Sequence, residues 1–197
     1  MQIVAGASPT LINALWPRET GGMIRLALLA VAGSILMALS AKTQVPMWPV
    51  PMTMQTFAVL VIGMAYGARL AGATLLLYLA EGAVGLPVFA SGGGIAYFAG
   101  PTTGYLIGFL VAAVLVGHLG ERGWDRSVPM TFLAMVAGTL VIFVLGVAWL
   151  SVFLGNVPAA LANGLTPFIV GALVKIALAA AVLPLVWKLA LRRKDAY

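Results

Sequence analysis

Apolar stretches long enough to cross a bilayer recur along almost the whole chain, and this constrains the fold more than any single motif does. A helix needs about 20 consecutive apolar residues to span a hydrocarbon core of ~30 Å. Spans are expected near 23–41, 53–68, 69–86, 102–119, 129–154 and 166–191. Together they predict an all-α membrane protein, a bundle of six transmembrane helices in one integral membrane domain covering 1–197. Composition agrees, with 62% hydrophobic and 8% charged residues, where a soluble domain carries about a quarter charged. Several span starts carry a helix-initiation signal. Thr53 follows Pro51, Thr102 follows Pro101, and Pro129 and Pro167 sit where a first turn tolerates a missing N–H.

Basic residues collect on one side of this map. Arg18 and Arg25 precede the first span, Arg69 marks the turn after the second, and Arg122 and Arg126 lie between the fourth and fifth. Lys188, Arg192, Arg193 and Lys194 close the chain, whereas the opposite connections carry only Lys42. The positive-inside rule then predicts that both termini are cytoplasmic and that 42–52, 87–101 and 155–165 face outward. The net charge of +6 reads as membrane topology, with lipid as the surroundings and no nucleic acid as partner.

The residues present exclude much chemistry. There is no cysteine, and His118 is the single histidine, so disulfides, thiolate metal sites, a Cys nucleophile and multi-histidine metal sites are absent. No metal or other cofactor is expected. An intramembrane enzyme would need paired acids, a nucleophile set or a metal cluster. No Walker A lysine loop is present, so any use of ATP falls to partners.

Polar chemistry gathers in the outward loops. In 42–52, three prolines hold an extended backbone around Trp48 and run into Thr53 and Gln55. Irregular backbone at membrane depth is tolerated against protein or a wet cavity. The loop reads either as a lid over an apolar ligand, with Thr53 and Gln55 supplying hydrogen bonds, or as an interfacial aromatic anchor. The glycine-rich stretch 85–105 places Phe89, Ser91, Tyr97 and Phe98 together, as a ligand loop or as a flexible outer loop.

Lys175 stands about nine residues into the last span, roughly 13 Å below its outer end. A lysine at such depth has to face the bundle interior and meet an anion or water. Glu81 is the one acidic candidate within the membrane. Either the two pair, or Lys175 awaits a ligand carboxylate. Ala30, Ser34 and Ala38 form a four-residue repeat of small side chains on the first span, suited to close helix contact within the chain or with a partner protein.

Val45-Pro46 and the run from Val50 to Phe57, followed by Ala65-Tyr66-Gly67 and Arg69, resemble the first conserved block of the BioY family. These are the biotin-specific substrate-binding (S) components of energy-coupling factor (ECF) transporters. Tyr78-Leu79, the run from Gly85 to Phe89, Gly93-Gly94 and the run from Gly100 to Phe109 resemble the second block, and Pro167-Phe168, Gly171 and Lys175 the third. The resemblance implies six helices, an outward cavity closed by the loop between the first two spans, and capture of biotin. It implies an energising module of one membrane scaffold subunit and two ATPase subunits. It further implies that Trp48, Met52, Phe89 and Tyr97 pack on the bicyclic ring and valerate chain, and that Lys175 neutralises the carboxylate. Gln55, Thr53 and Ser91 would satisfy the remaining polar atoms. In one respect the chain departs: the third block has an aspartate three residues before the lysine, where this chain has Ala172. Glu81 is the expected substitute. An S component for another vitamin, or a stand-alone secondary carrier, is the alternative on the same architecture.

Overall fold

The structure is a computed structural model that describes residues 10–16 and 22–194. Arg18 lies outside these residues, as do the side chains of Arg192, Arg193 and Lys194. Eight α-helices follow in order: α1 (Leu11–Leu15), α2 (Gly22–Lys42), α3 (Gln55–Tyr66), α4 (Ala68–Ala83), α5 (Thr103–Glu121), α6 (Val128–Leu154), α7 (Val157–Gly164) and α8 (Ile169–Lys194). The six expected spans are α2, α3, α4, α5, α6 and α8. The short α1 and α7 are additions.

Among the described residues, four helical stretches are long and apolar enough to cross a membrane: 22–42, 103–121, 128–154 and 157–190. The second and third spans are shorter than the sequence suggested. At 12 and 16 residues, α3 and α4 reach only roughly 18 and 24 Å. The missing length at one end is filled by loops. Strands β1 (Gln44–Val45) and β2 (Met52–Thr53) pair antiparallel, Gln44 opposite Thr53, and close the α2–α3 connection into a hairpin. Met54 N–H then bonds the carbonyls of Ser40 and Thr43, so this backbone is satisfied without helix.

Helix α5 is the centre of the bundle and packs against α3, α4 and α6. Its span is 61% buried, against 28% for α2, whose large apolar side chains such as Met23, Ile24 and Leu39 stay exposed as lipid-facing residues do. Small residues permit the close approach. A Cβ on Gly117 would lie 2.5 Å from the backbone nitrogen of Ala68, so α5 meets the start of α4 backbone to backbone. There the Glu121 carboxylate accepts from Ala68 N–H at 3.0 Å, at the positive end of α4.

At that same end Arg25, expected ahead of the first span, is instead inside α2 and only 2% exposed. Its guanidinium donates to the carbonyls of Ile12 and Trp16 and to Asn13 Oδ1, at 3.2, 2.6 and 3.1 Å. It thereby caps the C-terminal end of α1, where a cation is favoured. Asp125 lies nearby, between α5 and α6, fully buried, and accepts from the Trp187 indole N–H while Arg126 sits 4.9 Å over the Trp187 ring.

Candidate functional site

The opposite end of the bundle holds a cavity of about 750 Å³, its open mouth included. Its walls come from β2 and α3, the loop after α4, and helices α5, α6 and α8. Of the residues singled out in the sequence, Thr53, Gln55, Phe89, Tyr97 and Lys175 line it. These lie in three separate chain segments, and folding brings them together.

Lys175 is six residues into α8, roughly 9 Å from its start and shallower than the expected depth. Its ammonium donates to the Thr53 carbonyl at 2.6 Å and to Thr56 Oγ1 at 3.1 Å. Both partners are neutral, and no Asp or Glu lines the cavity. Glu81 is elsewhere: its carboxylate accepts from the Ser34 hydroxyl, across the α2–α4 contact. The expected substitution of Glu81 for an aspartate at position 172 is therefore corrected. Helix α4 ends at Ala83, and Glu81 falls on its flank that meets α2. Ala172 itself forms part of the cavity wall.

The aromatic wall is built around Phe89. Its ring lies 4.8 Å from Tyr97, 5.4 Å from Tyr78 and 5.6 Å from Phe98, the last two edge to face. The close seat of Phe89 on α4 requires glycine at position 82, since a Cβ there would fall 2.0 Å from Phe89 Cζ. The Phe89 loop is tied down from outside the cavity. Lys42 Nζ donates to the Phe89 carbonyl at 2.7 Å and Gln44 Nε2 to the Ala90 carbonyl at 3.2 Å. Thr103 and Trp149 secure the far end of the loop through the Gly100 carbonyl, at 3.1 and 2.8 Å.

Three expectations need correcting here. Trp48 is 80% exposed and points away from the cavity, because the hairpin turns Val50 and Pro51 inward instead. Ser91 is exposed at the tip of the Phe89–Gly92 bridge and lines nothing. Met52 packs its sulfur against Gly171 of α8, 3.0 Å from where a Cβ would be, and braces the hairpin rather than the cavity. The strip on α2 is likewise occupied within the chain: Ser34 is buried against α4 and Ala38 packs on the core, with Ala30 partly covered.

The sequence reading missed the remaining walls. Tyr105, Leu106 and Phe109 of α5 line the cavity together with Thr139 and Ile142 of α6. The i, i+1, i+4 spacing on α5 is a helical face that periodicity carries, but a span that is apolar all round does not disclose which face meets a ligand.

A profile of the BioY family matches residues 13–192. The chain is 41% identical over 145 residues to the probable biotin transporter BioY of Pyrococcus horikoshii, covering 73% of this chain and 85% of that protein. It is 35% identical to the biotin transporter BioY of Thermotoga maritima, over 74% of this chain and 85% of that one. The biotin transporter BioY of Rhizobium etli is 33% identical over 79% of this chain and 88% of its own length. In fold, the chain matches the crystal structure of the S-component for biotin from an ECF-type ABC transporter. That match has a TM-score of 0.71 and 23% identity, and covers 84% of this chain and 92% of that one. The chain belongs to the BioY family.

Proposed function

We propose that this chain captures biotin in the Lys175 cavity and serves its uptake across the cytoplasmic membrane as the S component of an ECF transporter. The observation that carries the reading is Lys175: a cation in a cavity with aromatic and aliphatic walls, bonded only to neutral oxygens. Such a cavity suits an apolar body with one carboxylate. Biotin supplies a bicyclic ring for the Phe89–Tyr97 wall, a carboxylate for Lys175, and a ureido group for the half-buried Thr53 hydroxyl and the buried Gln55 amide. An unpaired polar group left in such surroundings costs about 1–3 kcal/mol, so these groups discriminate against ligands that cannot pair with them.

Orientation follows from charge. Arg25, Arg69, Arg122, Arg126 and Lys188 belong to the end opposite the cavity, and the positive-inside rule makes that end cytoplasmic. The cavity then opens outward and both termini face inward. The relatives named above are transporters, not enzymes. This chain has no nucleotide-binding loop, so an energising module of one membrane scaffold subunit and two ATPase subunits completes the proposal.

Equilibrium titration of the purified chain with labelled biotin tests the first part. Saturable one-to-one binding that thiamin and riboflavin do not displace is expected, and displacement by either overturns the ligand assignment. Uptake in cells with and without the ATPase subunits tests the second, and equal uptake in both would make the chain a stand-alone carrier.

A further inference from the structure

A glutamine amide can present either its oxygen or its nitrogen, and which one it presents decides whether the cavity offers an acceptor or a donor. Gln55 is only 4% exposed and lines the cavity from the first turn of α3. Its Nε2 donates to the Tyr78 hydroxyl oxygen at 2.7 Å. The Tyr78 hydroxyl in turn donates to the Val88 carbonyl at 3.1 Å. On the other side, the Thr53 hydroxyl donates to Gln55 Oε1 at 3.2 Å.

The polarity of this chain of hydrogen bonds is set at its far end. The Val88 carbonyl has no proton to give, so it takes the single proton of Tyr78. The Tyr78 oxygen is then left as an acceptor, and only the nitrogen of Gln55 satisfies it. Reversing the amide would strip the Val88 carbonyl of its donor. We infer that Tyr78, which does not line the cavity, is a positioning residue that fixes the Gln55 amide with its oxygen turned toward Thr53 and the cavity, as a fixed acceptor for a ligand N–H.

The inference deepens the proposed function and rests on it for the identity of the ligand. A ureido ring carries two N–H donors. No carboxylate lines the cavity to receive them, because Ala172 occupies the wall one turn before Lys175. Gln55 Oε1 has a second lone pair that Thr53 does not use. The Val88–Tyr78–Gln55 relay therefore sets ring specificity, separately from the carboxylate contact at Lys175.

Two measurements test it, the first without ligand. The chain has three glutamines, Gln2, Gln44 and Gln55, so selective 15N labelling gives a short side-chain amide spectrum in which the signal lost in Gln55→Leu is assigned. Tyr78→Phe keeps the ring against Phe89 and removes the hydroxyl. It should move that signal and raise its proton exchange by about tenfold or more; an unmoved signal overturns the inference whatever the ligand proves to be. The second is a double-mutant cycle on biotin affinity. Tyr78→Phe should weaken binding about tenfold in the native background and less than about twofold beside Gln55→Leu. Equal losses in both backgrounds overturn the inference and make Tyr78 a packing residue. If Gln55→Leu binds too weakly to titrate, biotin is compared with an analogue methylated on the ring nitrogens. Tyr78→Phe should then lower affinity for biotin more than for the analogue, and equal losses again overturn it. Absence of biotin binding by the wild-type chain would fail the proposed function and leave the amide spectrum to decide the relay.

Discussion

The ammonium of Lys175 lies 2.6 Å from the carbonyl oxygen of Thr53 and so joins α8 to strand β2 of the hairpin. One side chain thus lines the cavity and ties down the hairpin at its edge.

Lys175→Met is expected to lower biotin affinity by about 30-fold or more, since removing one partner of a buried charge pair costs about 2 kcal/mol or more. Isothermal titration reads the loss directly. A control with Thr56→Val, which removes only the 3.1 Å hydroxyl contact, should cost much less. Comparable losses would show that the placement of the ammonium by Thr56, and not its charge alone, sets the affinity.

Lys42 lies outside the cavity and acts on the Phe89 loop through a single 2.7 Å bond to its backbone. Lys42→Met should therefore quicken biotin release about fivefold while leaving the association rate nearly unchanged. A chase experiment under stopped flow separates the two rates. An unchanged release rate would mean that the Gln44, Thr103 and Trp149 ties hold the loop without Lys42.

Gly82→Ala places a methyl 2.0 Å from Phe89 Cζ. Overpacking of this kind costs about 1–3 kcal/mol, so the thermal midpoint should fall and biotin binding should weaken together. Adding Phe89→Leu to the variant should restore part of the stability but not the affinity. Thermal unfolding in detergent, with and without biotin, reads both.

At the other end, burial pushes the Asp125 carboxyl up, while the Trp187 N–H, its own backbone N–H and Arg126 pull it down. The net direction is upward. A carboxylic acid whose folded value is raised binds more protons in the folded than in the unfolded chain, so its contribution to stability is full below the ordinary value of about 4 and is lost as pH rises through the folded value. Asp125→Asn should flatten the decline of the unfolding midpoint from acidic to neutral pH. An identical pH profile in the two proteins would remove Asp125 as its cause.

Much of the fold was legible because apolar runs and basic turns are both dictated by the bilayer. The ends of α2, α5 and α6 lie within about two residues of the expected spans. The shortening of α3 and α4 was not legible, since it depends on how deeply the two outward loops pack. The cavity divides the same way. Lys175, Gln55 and Thr53 stand out because polar groups in a membrane need partners. Trp48, Ser91 and Glu81 carry equally conspicuous chemistry, but their directions are set by a two-residue strand register, a bridge and the α2–α4 contact, which no local pattern encodes. Trp48→Ala and Ser91→Ala are accordingly expected to bind biotin within about twofold of wild type, and a large loss in either would restore it to the site.

The lone cation of the cavity also has an electrical consequence. With Lys175 protonated and no acid beside it, the empty cavity carries one positive charge, and a monoanionic vitamin cancels it. On the proposed reading, a motion that carried the cavity through the membrane field would move one more positive charge with the cavity empty than with it loaded. Each elementary charge is worth about 2.3 kcal/mol per 100 mV, so the resting potential would weigh on the empty and the loaded protein differently by about that amount.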